Sequence, residues 1–140
     1  MTELLHRVKI FVFQHAIREP RYLLLRAAQG LEGCWGPLQG NIGFGEKLET
    51  AIRREVIDET GILRSLDVID LELHQHQSLG DEHIIEWTFG IRIPPHDVAL
   101  RLDPKWAAFR WADFSRGYPL LELDDDRAAL VRLHAMIRAA

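Results

Sequence analysis

The sequence predicts an α/β (α+β) fold, in which two helices lie on the outside of a mixed sheet. Three observations predict it: β-branched and aromatic runs in both halves, a stretch of helical periodicity between them, and a closing amphipathic stretch. The chain has 140 residues, of which 47% are hydrophobic, so it is long enough to bury a core. We find no repeat, low-complexity tract or linker, and expect one domain over residues 1–140.

The first half is predicted to begin with two paired strands. Residues 8–14 are rich in β-branched and aromatic side chains, which is typical of a strand. Residues 19–21 (Glu-Pro-Arg) predict a turn, and residues 22–25 predict the second strand of a hairpin. The glycine-laden stretch 30–45, which also contains Pro37, predicts a loop or a short irregular strand.

A helix is predicted over residues 47–59, which contain neither glycine nor proline. Gly61 is well placed to end this helix. The apolar positions that recur at helical spacing are Leu48, Ala51, Ile52 and Val56.

The second half is predicted to return to strands and to close with a helix. Three strands are predicted, over residues 66–76, 83–93 and 108–111, with turns at Gly80-Asp81 and Pro94-Pro95. The final helix is predicted over residues 125–137, and acids at 124–126 suit its positive N-terminus.

Three acids of the predicted central helix share one face. Glu55, Asp58 and Glu59 are spaced i, i+3 and i+4, so their like charges repel unless a divalent cation lies among them. Oxygen ligands suit magnesium or manganese, whereas zinc favours nitrogen and sulfur. Arg54 is next to this face, and Glu46 lies where the helix is predicted to begin. Taken alone, the acids would more commonly be a solvated helix face.

The spacing of the whole stretch from Gly40 to Ile62 favours the metal interpretation. The stretch resembles the signature of the Nudix hydrolase family, G-x5-E-x7-R-E-U-x-E-E-x-G-U, where U is a bulky aliphatic residue. Asp58 is the one departure, because the family usually has glutamate there. The eight matching positions are Gly40, Glu46, Arg54, Glu55, Val56, Glu59, Gly61 and Ile62. The resemblance implies a Nudix-type α/β/α sandwich with a mixed central sheet and a catalytic loop-helix-loop.

The resemblance also implies the ligands of the metal. Glu55 and Glu59 would be the principal ligands of Mg²⁺, with Mn²⁺ as a possible substitute, helped by the main-chain carbonyl of Gly40. Asp58 would bind a second metal, through water because it is one methylene shorter. Arg54, paired with Glu46, would orient the glutamates.

Other residues would activate water or bind substrate. The general base would be Glu59 or Asp103, and Glu86 is a further candidate on a predicted strand. Arg26 and Trp35 would contact the substrate, and Trp106 would stack on a planar ring. Phe109 could do the same, although a core position for Phe109 and Trp111 is as reasonable an interpretation.

The implied reaction is metal-dependent hydrolysis of a diphosphate bond by water attack at phosphorus. Residues 86–94 (E-W-T-F-G-I-R-I-P) and 126–130 (D-R-A-A-L) are similar to dihydroneopterin triphosphate pyrophosphohydrolases. Residues 37–41 (P-L-Q-G-N) are instead similar to members that hydrolyse dinucleoside polyphosphates or capped RNA ends. We therefore expect a nucleoside or pterin triphosphate first and a dinucleoside polyphosphate second. A third hypothesis is a non-catalytic regulatory domain, which usually lacks some of these glutamates.

The remaining features exclude other classes. A net charge of −4 gives no broad basic surface for duplex nucleic acid, and no apolar run has membrane-spanning length. Residues 1–11 lack the pattern of a signal peptide, so we expect a cytoplasmic monomer or a homodimer. His74 and His76 have no evident third zinc ligand, and Cys34 has no evident histidine partner, so we expect no site at either.

Overall fold

The structure, a computed structural model, describes residues 3–28 and 34–139. The described residues form seven strands, three α-helices and one 3-10 turn. The strands are β1 (Glu3–His15), β2 (Pro20–Ala27), β3 (Trp35–Gly36), β4 (Leu38–Asn41), β5 (Val68–Leu79), β6 (Glu82–Arg92) and β7 (Trp106–Ala112). The helices are α1 (Leu48–Thr60), α2 (Phe114–Gly117) and α3 (Asp124–Ala139), and the 3-10 turn is Tyr118–Leu120.

Strand β1 organises the sheet. One edge of β1 pairs with β6 in parallel, from Glu3↔Glu82 to Phe13↔Arg92, and β6 pairs with β5 in antiparallel orientation. The other edge is shared, because β4 pairs with the middle of β1 and β2 pairs with only its last three residues. Strand β2 in turn pairs with β3 and with β7, both in antiparallel orientation. The sheet therefore opens between β2 and β4, and the cavity described below lies at this opening.

Alternation along β1 divides the core into two layers. Val8, Ile10 and Val12 belong to one apolar cluster with Ile52 and Val56 of α1. Phe11 and Phe13, which point to the opposite face, belong to a second cluster with Leu130 and Leu133 of α3. The predicted mixed sheet with helices on the outside is confirmed.

Several predicted boundaries were wrong. The first turn lies before residue 20, because Pro20 and Arg21 already pair with His15 and Gln14. The glycine-laden stretch contains β3 and β4, while its residues 30–33 lie outside the described residues. Helix α1 begins at Leu48, so Glu46 precedes it, and α2 was not predicted. No described helix is both long and apolar enough to cross a membrane.

Gly90 sets how closely α3 approaches the sheet. A β-carbon at position 90 would lie 2.6 Å from Cδ1 of Leu133, which is closer than van der Waals contact allows. The missing side chain lets Leu133 rest directly on β6. Because Leu133 is fully buried, this contact belongs to the core.

We predict that Gly90→Ala destabilises the fold by about 1–3 kcal/mol, because it overpacks this contact. Urea unfolding measures the loss. In a Leu133→Ala background, which removes the clashing methyl groups, the added cost of Gly90→Ala should fall by more than half. Equal costs in both backgrounds would contradict the proposed contact.

Candidate active site

Helix α1 is held between two tight backbone turns. Before it, Glu46 accepts a hydrogen bond from the backbone N–H of Gly43 (2.9 Å), which closes the loop leading from β4. After it, Gly61 adopts φ 75° and donates its backbone N–H to the carbonyl of Ile57 (2.9 Å). This left-handed backbone conformation favours glycine, so the predicted end of the helix at Gly61 is confirmed. Both ends of the acidic helix are thus fixed locally.

Arg54 connects the loop before α1 to the helix itself. Its Nε and Nη2 donate to the two oxygens of Glu46 (2.7 and 2.9 Å), and its Nη1 donates to Glu55 Oε1 (2.8 Å). Nη2 also donates to the carbonyl of Asn41 at the end of β4 (2.9 Å). Asp58 lies 3.5 Å from Nη1 with 59% of its side chain exposed. The guanidinium therefore links one strand, one loop and two carboxylates.

These contacts perturb the ionisation of both members of the main pair. The hydrogen bonds from Arg54, helped by the N–H of Gly43, lower the pKa of Glu46 to about 2. The hydrogen bonds to Glu46 correspondingly raise the pKa of Arg54. Both groups stay charged throughout the neutral range.

Glu55 is buried against the backbone of β4. Its residue is 7% exposed, and its carboxylate occupies the space beside Gly40. A β-carbon at position 40 would overlap the carboxyl group of Glu55. A glycine at this position therefore lets a carboxylate of α1 lie next to the main chain of β4.

Glu59 is more deeply buried, at 3% exposure, one helical turn beyond Glu55. Burial raises the pKa of Glu59, although an ion pair with the Lys105 ammonium opposes the shift. Lys105 also donates to the carbonyl of Gln39 in β4 (3.0 Å). The backbone N–H of Asp103 donates to the carbonyl of Glu59 (2.9 Å), and Asp103 Oδ1 accepts from the N–H of Lys105 (2.9 Å). The loop before β7 is thereby attached to the acidic end of α1.

The chemistry of these donors fits a hard divalent cation. Glu55 and Glu59 are buried carboxylates on successive helical turns, and Glu59 forms an ion pair with the Lys105 ammonium. In the described part of the chain, no three His, Cys, Asp or Glu side chains form a ready-made metal cluster. Magnesium does not require a cluster of three such side chains, because one or two carboxylates commonly bind it together with water and substrate phosphates.

A cavity of about 230 Å³ lies at the opening between β2 and β4. Trp35 and Trp106 line it, and Gln39 connects it to the strand that carries Gly40. The guanidinium of Arg26 lies over the Trp35 ring at 5.6 Å, and that of Arg110 lies over the same ring at 5.4 Å. The structure thus brings together Arg26, Trp35 and Trp106, which were the residues predicted to bind substrate.

Four residues of this region were missed or given another meaning by the sequence. Lys105 and Arg110 carry no motif, although alternation along β7 puts Arg110 on the same face as Ala108 and Ala112. Lys9 lies in an apolar strand and was not singled out. Asp126 was interpreted as a favourable helix-start charge and as the first residue of the D-R-A-A-L stretch, with no buried ion pair expected. A lysine between apolar neighbours was the one available signal, because such a lysine requires a buried acid partner.

Glu86, a predicted candidate for the general base, does not lie near the acids of α1. Its carboxylate lies 3.4 Å from Nζ of Lys9, on the sheet face that α3 covers. The acids of α1 pack on the other face. Phe109 is exposed, so a core position for it is wrong, while Trp111 packs against the core and under Arg21.

His74, His76 and Cys34, at which no site was predicted, each contact a neighbouring side chain. His76 lies 3.1 Å from the ring of His83, and His74 stacks on Trp87. The Cys34 thiol donates to Glu122 (3.0 Å), and this hydrogen bond raises the pKa of Cys34. A raised pKa leaves less reactive thiolate, in keeping with a passive cysteine.

The family comparison agrees with this geometry. The family model of the NUDIX domain matches residues 6–133, which is nearly the whole chain. The chain belongs to the Nudix family. Its predicted family and its predicted enzyme class, a Nudix pyrophosphohydrolase, are confirmed.

Two curated relatives of this Nudix chain are similar in sequence. It is 31% identical over 121 residues to the asymmetrical bis(5'-nucleosyl)-tetraphosphatase of Rattus norvegicus, covering 83% of this chain and 80% of the relative. It is 32% identical over 110 residues to a Myxococcus xanthus octanoyltransferase. That match covers 76% of this chain but only 30% of the relative's length.

Solved structures show the same fold at lower identity. A Nudix hydrolase from Listeria monocytogenes superposes with a TM-score of 0.81 at 18% identity, covering 96% of this chain and 94% of that one. An Ap4A hydrolase of C. elegans superposes with a TM-score of 0.80 at 14% identity, covering 97% of this chain and 99% of that one. The E. coli dihydroneopterin triphosphate pyrophosphohydrolase superposes with a TM-score of 0.76 at 18% identity, covering 94% of this chain and 95% of that one. At these identities the likeness concerns the fold, and the predicted Nudix-type sandwich is confirmed.

We predict that Glu46 stays ionised at pH 4.5, where a glutamate of ordinary pKa is half protonated. Side-chain carbon NMR during a pH titration measures this. Arg54→Lys keeps a charge but loses the paired hydrogen bonds, so the pKa of Glu46 should return toward 4.5. Because the folded pKa is lowered, the pair stabilises the fold above the ordinary pKa, and that contribution is lost as pH falls toward about 2.

Proposed function

We propose that this Nudix chain hydrolyses a diphosphate bond in a nucleoside or pterin triphosphate, with Mg²⁺ as its cofactor and Mn²⁺ as a substitute. The observation that supports this most is the pair of buried carboxylates, Glu55 and Glu59, on successive turns of α1 beside the backbone of β4. A cavity walled by two tryptophans lies along the same strand. Together they provide a place for phosphates and a place for a ring.

The proposed metal ligands are Glu55, Glu59 and the main-chain carbonyl of Gly40, with Asp58 as a water-mediated ligand to a second ion. A bound Mg²⁺ would neutralise phosphate oxygens and lower the pKa of a coordinated water. The exposure of Asp58 and its distant contact with Arg54 support an indirect role for that residue.

The chain's own residues position and deprotonate the attacking water in this proposal. Arg54, clamped by Glu46, holds the Glu55 carboxylate beside Gly40. Glu59 or Asp103 accepts the proton of the water, and the raised pKa of Glu59 favours that task. Asp103→Asn separates the two candidates. It should abolish turnover if Asp103 is the base and leave most of it if Glu59 is.

Arg26, Trp35 and Trp106 are proposed to bind the substrate. The rings of Trp35 and Trp106 would enclose a planar group. The guanidinium of Arg26, which lies over Trp35, would face the phosphates. We further propose one domain over residues 1–140, a cytoplasmic location and a monomer or homodimer.

A dinucleoside polyphosphate is the second candidate substrate. The rat relative at 31% identity is a bis(5'-nucleosyl)-tetraphosphatase, which supports this alternative. A regulatory domain that binds a nucleotide without turnover is a third, which the retained glutamates disfavour. Glu55→Gln distinguishes it, because turnover should vanish in an enzyme while ligand binding persists in a sensor.

We predict Mg²⁺-dependent release of pyrophosphate or phosphate from at least one member of a substrate panel. The panel contains nucleoside triphosphates, dihydroneopterin triphosphate, diadenosine polyphosphates and nucleotide sugars, each assayed with Mg²⁺ and with chelator. Glu59→Gln should lower kcat by about 100-fold or more, because it removes a buried charged carboxylate oxygen.

Glu49→Gln is the matched control, because Glu49 is an exposed acid of the same helix whose one ion pair among the described residues is with Arg53. It should keep wild-type kcat. The proposal fails if the wild type releases nothing from any substrate, or if chelator leaves release unchanged.

A further inference from the structure

The ammonium group of Lys105 lies against an oxygen of Glu59, one of the proposed metal ligands. Glu59 is 3% exposed, and its Oε1 forms an ion pair with Nζ of Lys105. In the described part of the chain, no donor meets this oxygen with the geometry of a hydrogen bond. The contact therefore depends on charge and not on an oriented hydrogen bond, so another cation can take the place of Lys105.

The charges around Glu59 favour a cation of higher charge than an ammonium. Burial raises the pKa of Glu59, the nearby carboxylates of Glu55 and Asp103 add to this shift, and Lys105 opposes it without cancelling it. The guanidinium of Arg54 forms its ion pairs at the other end of the acidic face. One ammonium thus compensates the acids near Glu59 only in part, and a divalent cation at the same oxygen would compensate them more fully.

The backbone of Lys105 is fixed independently of its side chain. The carbonyl of Lys105 accepts a hydrogen bond from the N–H of Ala28 (2.8 Å), and its own N–H donates to Asp103 Oδ1 (2.9 Å). These contacts attach the loop before β7 on both sides of the residue. The side chain can therefore leave Glu59 by rotation about its own bonds, without a rearrangement of the loop.

The ammonium has other partners besides Glu59. The side chain of Lys105 is 48% exposed, and its Nζ also donates to the carbonyl of Gln39 (3.0 Å). Nζ lies 5.3 Å from the centre of the Trp106 ring, within the range of a cation–π interaction. An ammonium released from Glu59 keeps these two partners and gains water. The exchange therefore breaks one ion pair and leaves no charge buried without a partner.

We propose that Lys105 is an exchangeable counter-cation that competes with the divalent metal for Glu59 Oε1. Two cations cannot both contact that oxygen, because like charges a few ångströms apart repel. Metal binding therefore displaces the ammonium toward Gln39 and Trp106, and the ammonium in turn weakens metal binding. This coupling is reciprocal, so it affects both metal affinity and stability. The inference rests on the proposed function for the assignment of Glu59 as a metal ligand, and its tests need no substrate.

The first test measures the binding of Mn²⁺ to chelator-treated protein by calorimetry, for the wild type and for Lys105→Met. Methionine keeps an unbranched apolar side chain but carries no charge. Removal of the competing ammonium should lower the Kd for Mn²⁺ by about tenfold, which lies within the usual range of coupling between two sites. Lys105→Arg keeps the charge, so its Kd should stay within about threefold of the wild-type value. Equal Kd values for the wild type and Lys105→Met overturn the inference.

Arg101→Met is the matched control for the change in net charge. Arg101 is an exposed cation of the same loop and forms no ion pair among the described residues. Its loss changes the net charge as Lys105→Met does, but it leaves the contact at Glu59 in place. At physiological ionic strength the Kd for Mn²⁺ should change by less than about twofold, because exposed charges are screened. A tenfold lower Kd in this control as well would attribute the effect to net charge and overturn the inference.

The second test is urea unfolding of the same proteins, in chelator and in saturating Mn²⁺. In chelator, Lys105→Met leaves the buried Glu59 without its cation, so its unfolding midpoint should fall below that of the wild type. Saturating Mn²⁺ supplies the missing charge and should close most of this gap. In a Glu59→Gln background, Lys105→Met should have less than half of its effect in chelator. An equal deficit with and without Mn²⁺ would make Lys105 a purely structural residue and overturn the inference.

A third measurement uses only the wild type and decides the matter if Lys105→Met does not fold in chelator. Ammonium protons exchange slowly with water while an ion pair holds them, and NMR measures this exchange. Diamagnetic Mg²⁺ should accelerate the exchange at Lys105, and an unchanged exchange rate overturns the inference. If Mn²⁺ binds to none of the proteins, the proposed metal cofactor fails together with the inference. Equal affinities overturn the inference alone and leave the proposed function intact.

Discussion

Every buried carboxylate of the described chain lies against a basic side chain. Glu55 pairs with Arg54 and Glu59 with Lys105, while Glu86 and Asp126 share Lys9. Carboxylates can be retained in an apolar sandwich only when cations or hydrogen bonds compensate their lost hydration. These ion pairs also join distant parts of the chain, since Lys105 ties the loop before β7 to α1 and Lys9 ties β1 to α3.

Strand β1 places the two sets of charges on opposite sides of one sheet. Its alternation directs Val8 and Ile10 toward α1 and directs Lys9 and Phe11 toward α3. Because β2 and β4 share one edge of β1, the sheet cannot close between them, and the cavity forms there. The cavity is lined by Asp126 and by Gln39, whose neighbour Gly40 borders the Glu55 carboxylate.

The sequence predicted the local features well. Helical periodicity and Gly61 gave α1 to within one residue at each end, because both signals act within a few residues of the helix. The strands β3 and β4 were indistinct, since two- and four-residue segments rich in glycine form only through pairing with β2 and β1. The turn before β2 was misplaced for the same reason. Pro20 is acceptable in β2 because it is the first residue of that strand, where a missing N–H disrupts the ladder least.

By itself the sequence determined the family and the acidic face of α1, because fixed spacing along one helix fixes which side chains share a face. Tertiary structure alone decided which cations compensate those acids and what lines the cavity. Lys105 meets Glu59 from a separate loop, and Lys9 meets Asp126 across 117 positions of sequence. No periodicity encodes such contacts, because they arise only when the sheet aligns β1 with β4 and α3 packs against its face.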